Sequence, residues 1–216
     1  MKTILCYGDS NTWGCPPIES FDEIQRLDEH TRWPCVLRTA LGADYRVIEE
    51  GLGARTTVWD DPFEGAHKNG RTYLLPCLES HEPLDLVILL LGTNDLKSRF
   101  NLSASDIAYA VGTLIDIIQR SECGPGGNAP QVLVVCPPPI AKLTLFAQMF
   151  AGAAPKSRLM ADFYRQVAET YGCAFLNAGK LIKSSDRDGI HWEAEEHVRM
   201  GQAVAARVRD LFTVSD

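Results

Sequence analysis

Apolar positions along this chain come in two rhythms that take turns. Five short runs, residues 3–7, 45–50, 85–91, 131–136 and 174–177, have the continuous apolar or β-branched character of strands. Between and after them, residues 33–41, 69–80, 103–119, 155–171 and 193–211 carry apolar side chains three and four apart, the period of a helix. The run 103–119 places Ile107, Val111, Leu114, Ile115 and Ile118 on one face. Thr31 and Gly42 bracket the first helix as cap and stop, and Pro155 sits in the first turn of the fourth. Residues 85–91 are apolar on both faces, which predicts a central parallel strand covered by helices on each side.

Strand and helix alternate from end to end, so the expected architecture is α/β. Right-handed crossovers give a three-layer, flavodoxin-like fold. Its central sheet has five parallel strands in the order 2-1-3-4-5, with helices on both faces. No repeat or linker interrupts the pattern, so one domain spanning residues 1–216 is expected. Such sheets place their sites at the carboxyl ends of the strands. Three polar loops fall there: Gly8-Asp9-Ser10-Asn11-Thr12-Trp13-Gly14, Gly51-Leu52-Gly53-Ala54-Arg55-Thr56-Thr57 and Gly92-Thr93-Asn94-Asp95. Taken singly, each has an ordinary reading. Ser10 could cap a helix, the double glycine could be a plain turn, and Thr, Asn and Asp are all capping residues.

Bulk composition narrows the partners. A net charge of −7 lacks the basic face that a phosphate backbone demands, so no nucleic acid is expected. No stretch is apolar for long enough to span a bilayer, and the first apolar run is too short for a signal peptide. A cytoplasmic location is expected. The 7 cysteines are scattered, without a Cys-x-x-Cys pair, and read as reduced thiols. Neither a metal nor an organic cofactor is expected. Asp60-Asp61-Pro62 reads as a solvated turn, and His30, His67, His81 and His197 as structural or surface residues. Residues 140–154 are apolar without a clear period. They suit the wall of a pocket, a subunit contact or plain core equally well.

The chemistry emerges when the loops are combined. Asp188 and His191 stand three apart with Gly189 between them, so a carboxylate can meet one imidazole nitrogen while the other points outward. Alone, that pair also fits a surface turn. A serine, a histidine and an aspartate that orients it, with nearby amide donors, are what ester cleavage through an acyl-serine needs.

The four blocks Gly8-Asp9-Ser10, Gly53, Gly92-Thr93-Asn94-Asp95 and Asp188-Gly189-Ile190-His191 together resemble the SGNH (GDSL-type) hydrolase superfamily. The stretches Gly51–Thr57, Asp60-Asp61-Pro62 and Leu84–Ile88 are similar to its bacterial aryl esterase and acyltransferase subfamily. The resemblance implies a serine esterase acting on small-molecule, short-chain acyl esters, aryl acetates among them, with acyl transfer to alcohols or peroxide as a further activity. It implies a homo-oligomer that narrows the site entrance. It implies Ser10 as nucleophile, His191 as general base and Asp188 as its orienting acid. The oxyanion hole falls to the backbone N–H groups of Ser10 and Gly53 and the side-chain amide of Asn94. Asp9, Trp13, Cys15, Ala54, Phe146, Phe150 and Ile190 are the expected pocket residues, although Asp9 and Asp95 read better as loop-holding carboxylates. In the subfamily's acyl-transferring member a serine stands in place of Gly53 and a tryptophan in place of Cys15. Three readings stay open beside the aryl esterase: a carbohydrate acetylesterase or thioesterase with the same triad, a non-catalytic flavodoxin-like binding module, and an inactive scaffold.

Overall fold

In the computed structural model, which describes residues 1–22 and 24–213, the middle layer is a sheet of five parallel strands. They are β1 (Lys2–Gly8), β2 (Tyr45–Gly51), β3 (Leu86–Leu90), β4 (Gln131–Cys136) and β5 (Ala174–Asn177), in the order β2-β1-β3-β4-β5. This is the expected flavodoxin-like order. The helices are α1 (Ser10–Trp13), α2 (Trp33–Leu41), α3 (Gly70–His81), α4 (Ala104–Arg120), α5 (Ala153–Thr170) and α6 (Ala194–Thr213).

The strand period of two splits the core in half. Leu5 and Tyr7 of β1, Val87 and Leu89 of β3, and Val132 and Val134 of β4 point to one face, where α3, α4 and α5 cover them. Ile4 and Cys6, Leu86, Ile88 and Leu90, and Leu133 and Val135 point to the other, under α2 and α6. Full burial of such a side chain contributes about 1.5–3 kcal/mol relative to exposure. A slip of one residue would carry each set to the wrong layer, so the register is firmly set. That register puts Gly8 beside both Gly51 and Leu90. The loops that leave β1, β2 and β3 therefore rise from one edge, at the point where the strand order reverses.

Gly8 is required there by close approach. A Cβ on it would lie 2.0 Å from Thr12 Oγ1 and 2.9 Å from the Leu90 carbonyl oxygen. Two helix starts differ from the sequence reading. The cap of α2 is Arg32 rather than Thr31, with no side-chain cap bond, and Pro34 in the first turn presets the helix instead. α5 begins at Ala153, two residues before Pro155, because Gly152 in a left-handed conformation (φ 78°) turns the chain into it. α4 begins with a full capping box between Ser103 and Asp106. Among the described residues, no helix is long and apolar enough to cross a membrane.

Candidate active site

Ser10 is not a helix cap. Asp9 is the cap of α1, its carboxylate accepting from the Asn11 N–H at 3.0 Å, and Ser10 is the first residue of the helix. This short turn lifts the Ser10 hydroxyl off the end of β1 into the crevice. From the far end of the chain, the segment before α6 folds back over the same edge. His191 Nε2 lies 2.9 Å from Ser10 Oγ, and His191 Nδ1 lies 2.6 Å from Asp188 Oδ2. With the imidazole neutral, Nδ1–H donates to Asp188 and Nε2 accepts from the serine hydroxyl. Asn11 Nδ2 donates to the Ile190 carbonyl at 3.4 Å, linking the helix of Ser10 to the loop of His191.

Asp188 is wholly buried and held on both oxygens. Oδ1 accepts from the N–H groups of Ile190 and His191 at 2.8 and 2.9 Å, and Oδ2 also accepts from the Ile18 N–H at 2.8 Å. Gly189 makes this clasp possible, since its φ of 91° lies in the left-handed region that a side chain resists. Burial pushes the Asp188 carboxyl up, but the bond and charge of His191, with the Ile190 and Ile18 amides, outweigh it and hold the carboxyl below its usual range. For His191 burial works against the charged ring. Asp188 and the neighbouring Cys15 thiol overcome it and raise the imidazole above its ordinary 6.5.

A serine hydroxyl can pass its proton only to a neutral imidazole, so a hydrolysis that uses this pair should show kcat/KM rising with pH, with a midpoint above 6.5. A pH–rate profile of an aryl acetate tests this. A profile already flat from roughly pH 5 upward would contradict a raised His191. Asp9 and Asp95, both pushed up to about 6 by burial, ionise on the acid side of that limb.

The loop after β2 turns tightly, with Arg55 N–H bonded to the Leu52 carbonyl at 3.1 Å. Ala54 sits inside this turn at φ 65°, an uncommon conformation for a residue with a Cβ, which the surrounding bonds hold in place. Asn94 Nδ2 donates to the Arg55 carbonyl at 3.1 Å. That bond orients the amide and leaves its second hydrogen for the cavity that Asn94 lines. Asp95 accepts from the Thr57 N–H and from the Thr57 hydroxyl, so it ties the loop after β3 to the loop after β2. The Arg55 guanidinium reaches under both, donating to the Gly8 carbonyl at 2.9 Å and lying 4.2 Å from the Tyr7 ring centre.

Ser10, His191, Gly53 and Asn94 all face one cavity of about 790 Å³. Part of its lining is apolar, with Trp13, Ile18, Phe146, Met149 and Phe150, and part is charged, with Glu64, Lys68, Lys97 and Arg99. Cys15, Ala54 and Ile190 line it as well. The Phe146 ring leans on the His191 ring with centroids 5.9 Å apart. Residues 140–154 thus serve as cavity wall and core at once, since Phe146 and Phe150 are also buried in the main core.

Two readings of the sequence are corrected. Asp9 does not line the cavity, being consumed as the buried cap of α1. Asp61 is not in a solvated turn. It is buried, 2.8 Å from Arg99 Nη1 and 3.2 Å from Lys97 Nζ, and it braces the charged wall. The polar segment 14–31 contributes to the site as well, since Ile18, Phe21 and Ile24 of it line the cavity. Their apolar spacing of three within a polar stretch was the available signal. His197 is structural: it is fully buried against Trp192, and burial holds its ring far below 6.5, at about 3, so it is neutral. Linear spacing hides Arg55 and Thr57 as supports of the site, because their partners lie 47 and 38 residues away, respectively.

The sequence model of the GDSL-like lipase/acylhydrolase family matches residues 6–199. No curated protein sequence matches the chain. Among solved structures, Est24, a carbohydrate acetylesterase from Sinorhizobium meliloti, is 42% identical, with 98% of this chain and 100% of that chain covered and a TM-score of 0.94. The native M. smegmatis aryl esterase is 43% identical over 98% and 100% of the two chains, with a TM-score of 0.93. A carbohydrate acetylesterase family member from Sinorhizobium meliloti is 37% identical over 97% and 98%, with a TM-score of 0.90.

Proposed function

Since the chain belongs to the GDSL-like lipase/acylhydrolase family and is a serine esterase of it, we propose that Ser10, His191 and Asp188 carry out the cleavage. The observation that carries the assignment is the unbroken relay from Ser10 Oγ through His191 to Asp188, with steps of 2.9 and 2.6 Å, opening on the cavity. Ser10 Oγ attacks the ester carbonyl as its proton passes to His191 Nε2. The carbonyl oxygen takes the negative charge, and the N–H groups of Ser10 and Gly53 and the Asn94 amide receive it. His191 then hands the proton to the departing alcohol, leaving an acyl-serine. Water repeats the sequence in reverse order and frees the acid.

The oxyanion role has its own test. Asn94→Ala should lower kcat by about 10²–10³-fold with little change in KM, because the lost bond forms only as charge develops. Steady-state kinetics on an aryl acetate reads this split. An equal loss carried in KM alone would assign Asn94 to substrate binding instead.

The substrate we propose is a short acyl group on a sizeable leaving group. A cavity of about 790 Å³ far exceeds the needs of a small acyl ester, and its apolar wall of Trp13, Phe146 and Phe150 suits an aryl ring. A carbohydrate acetyl ester is the second reading. The charged part of the lining, with Glu64, Lys68 and Arg99, offers hydrogen bonds to sugar hydroxyls. A panel of aryl acetates, acetylated sugars and acyl thioesters separates them by kcat/KM. Nothing stands within 4 Å of where a Gly53 Cβ would be, so the cavity is open beside the oxyanion, with room for an alcohol acceptor and hence for acyl transfer. A homo-oligomer is part of the proposal too. Phe63 is 81% and Ile24 61% exposed at the cavity mouth, and a second copy of the chain would cover them. Seven free cysteines suit a reducing compartment, and we propose the cytoplasm.

A further inference from the structure

Away from the cavity, where α3 meets the last residues of β2, three unlike donors converge. Cys77 and His81 are four apart on α3, so both leave the same face of the helix one turn apart. Glu50 reaches them from the end of β2. The Cys77 sulfur, a His81 ring nitrogen and a Glu50 carboxylate oxygen all lie within 4.8 Å of one another. His81 Nε2 is 3.0 Å from Glu50 Oε1.

Thiolate, imidazole and carboxylate are the donor types that bind zinc, at about 2.0–2.3 Å. Around a tetrahedral ion such bonds set neighbouring donors roughly 3.5 Å apart, so small side-chain rotations suffice to close the group on a cation. We propose that Glu50, Cys77 and His81 form a binding site for a thiophilic divalent cation of the zinc class. Tyr73, one turn before Cys77 on the same face, brings its hydroxyl to 3.5 Å from Glu50 Oε1, beside the fourth coordination position. That position takes this phenol or a water.

The site has an entrance and a charge balance. Cys77 is fully buried, whereas the side chains of His81 and Glu50 keep 24% and 20% of their exposure, and the cation enters between them. On binding, a sulfur–metal bond forms and the thiol proton leaves to water. One thiolate and one carboxylate then cancel the two positive charges, with the imidazole neutral. The Arg55 guanidinium, 5.6 Å from the Tyr73 ring centre, is the opposing charge nearby, and it sets the affinity below that of a site free of cations. Linear spacing hides the group, because Glu50 lies 31 positions before His81 and on another element.

The test uses the full chain, freed of metals and titrated with cobalt as a coloured substitute for zinc. The expected result is a near-ultraviolet thiolate-to-cobalt charge-transfer band that saturates at about one ion per chain. The band should vanish in Cys77→Ser. In His81→Gln, where a partly exposed side chain is replaced, the affinity should fall by about 100-fold or more, since even outer-shell changes at metal sites cost about 10–100-fold. Both variants should keep their aryl acetate turnover, which also shows that they fold. No band in the wild-type protein at saturating cobalt, a band that survives in Cys77→Ser, or unchanged affinity in His81→Gln would each overturn the site.

Discussion

Ser10→Ala is expected to lower kcat for an aryl acetate by on the order of 10⁶-fold, the scale seen when a serine hydrolase loses its nucleophile. Ser10 Oγ is the group that meets His191 Nε2, at 2.9 Å, so it is the one placed to pass its proton to the ring and attack. What remains is the modest acceleration that an oxyanion hole and a binding pocket give without a nucleophile. Stability should shift by about 1 kcal/mol or less, because the removed group is small and makes one hydrogen bond at a water-accessible cavity. Steady-state rates, with circular dichroism and thermal unfolding as checks on the fold, measure both. A variant within tenfold of the wild-type rate would remove Ser10 from the chemistry.

Asp188→Asn carries the second large effect, expected at about 10⁴-fold in kcat, as when the orienting acid of another serine hydrolase is changed to its amide. The cause is donor counting. Asp188 accepts four bonds, from the amides of Ile18, Ile190 and His191 and from His191 Nδ1. Asparagine offers one acceptor oxygen and one NH₂, so two of the four donors must face another donor. If the oxygen keeps the Ile190 and His191 amides, the NH₂ points at His191 Nδ1. The ring then holds its proton on Nε2, facing Ser10, and cannot accept the serine proton. The loss should appear in kcat, with KM nearly unchanged, and the fold should lose about 1–3 kcal/mol through the unsatisfied group. A kcat within tenfold of wild type would show that Asp188 only holds the loop.

Much of the architecture was legible in the sequence because each level agreed with the next. The doubly apolar run 85–91 became the central strand β3, with both of its faces buried. Glycines at the strand ends marked where Ser10, Gly53 and Asn94 leave the sheet, and the register brings those ends level. The spacing of Asp188 and His191 survived intact, since three residues with a left-handed glycine form one closed turn.

What escaped was set by distant partners. Two adjacent aspartates look solvated when read locally. Asp61 is buried because Lys97 and Arg99 come to it from a loop 36 and 38 residues on. Ile18 lies in a polar stretch, yet its amide holds Asp188 across 170 residues. Arg55 owes its place to the Gly8 carbonyl and the Tyr7 ring, both on β1 and far from it in sequence. Periodicity reports which face a residue occupies, but not which remote group neutralises its charge.

Labelling with a fluorophosphonate, followed by peptide mass spectrometry, tests the central claim most directly. It asks whether Ser10 is activated by His191. The account predicts a single phosphonylated residue, Ser10, in the wild-type chain, and labelling slowed by orders of magnitude in His191→Ala. Modification at Cys15 or elsewhere in place of Ser10, or an undiminished rate in His191→Ala, would contradict it.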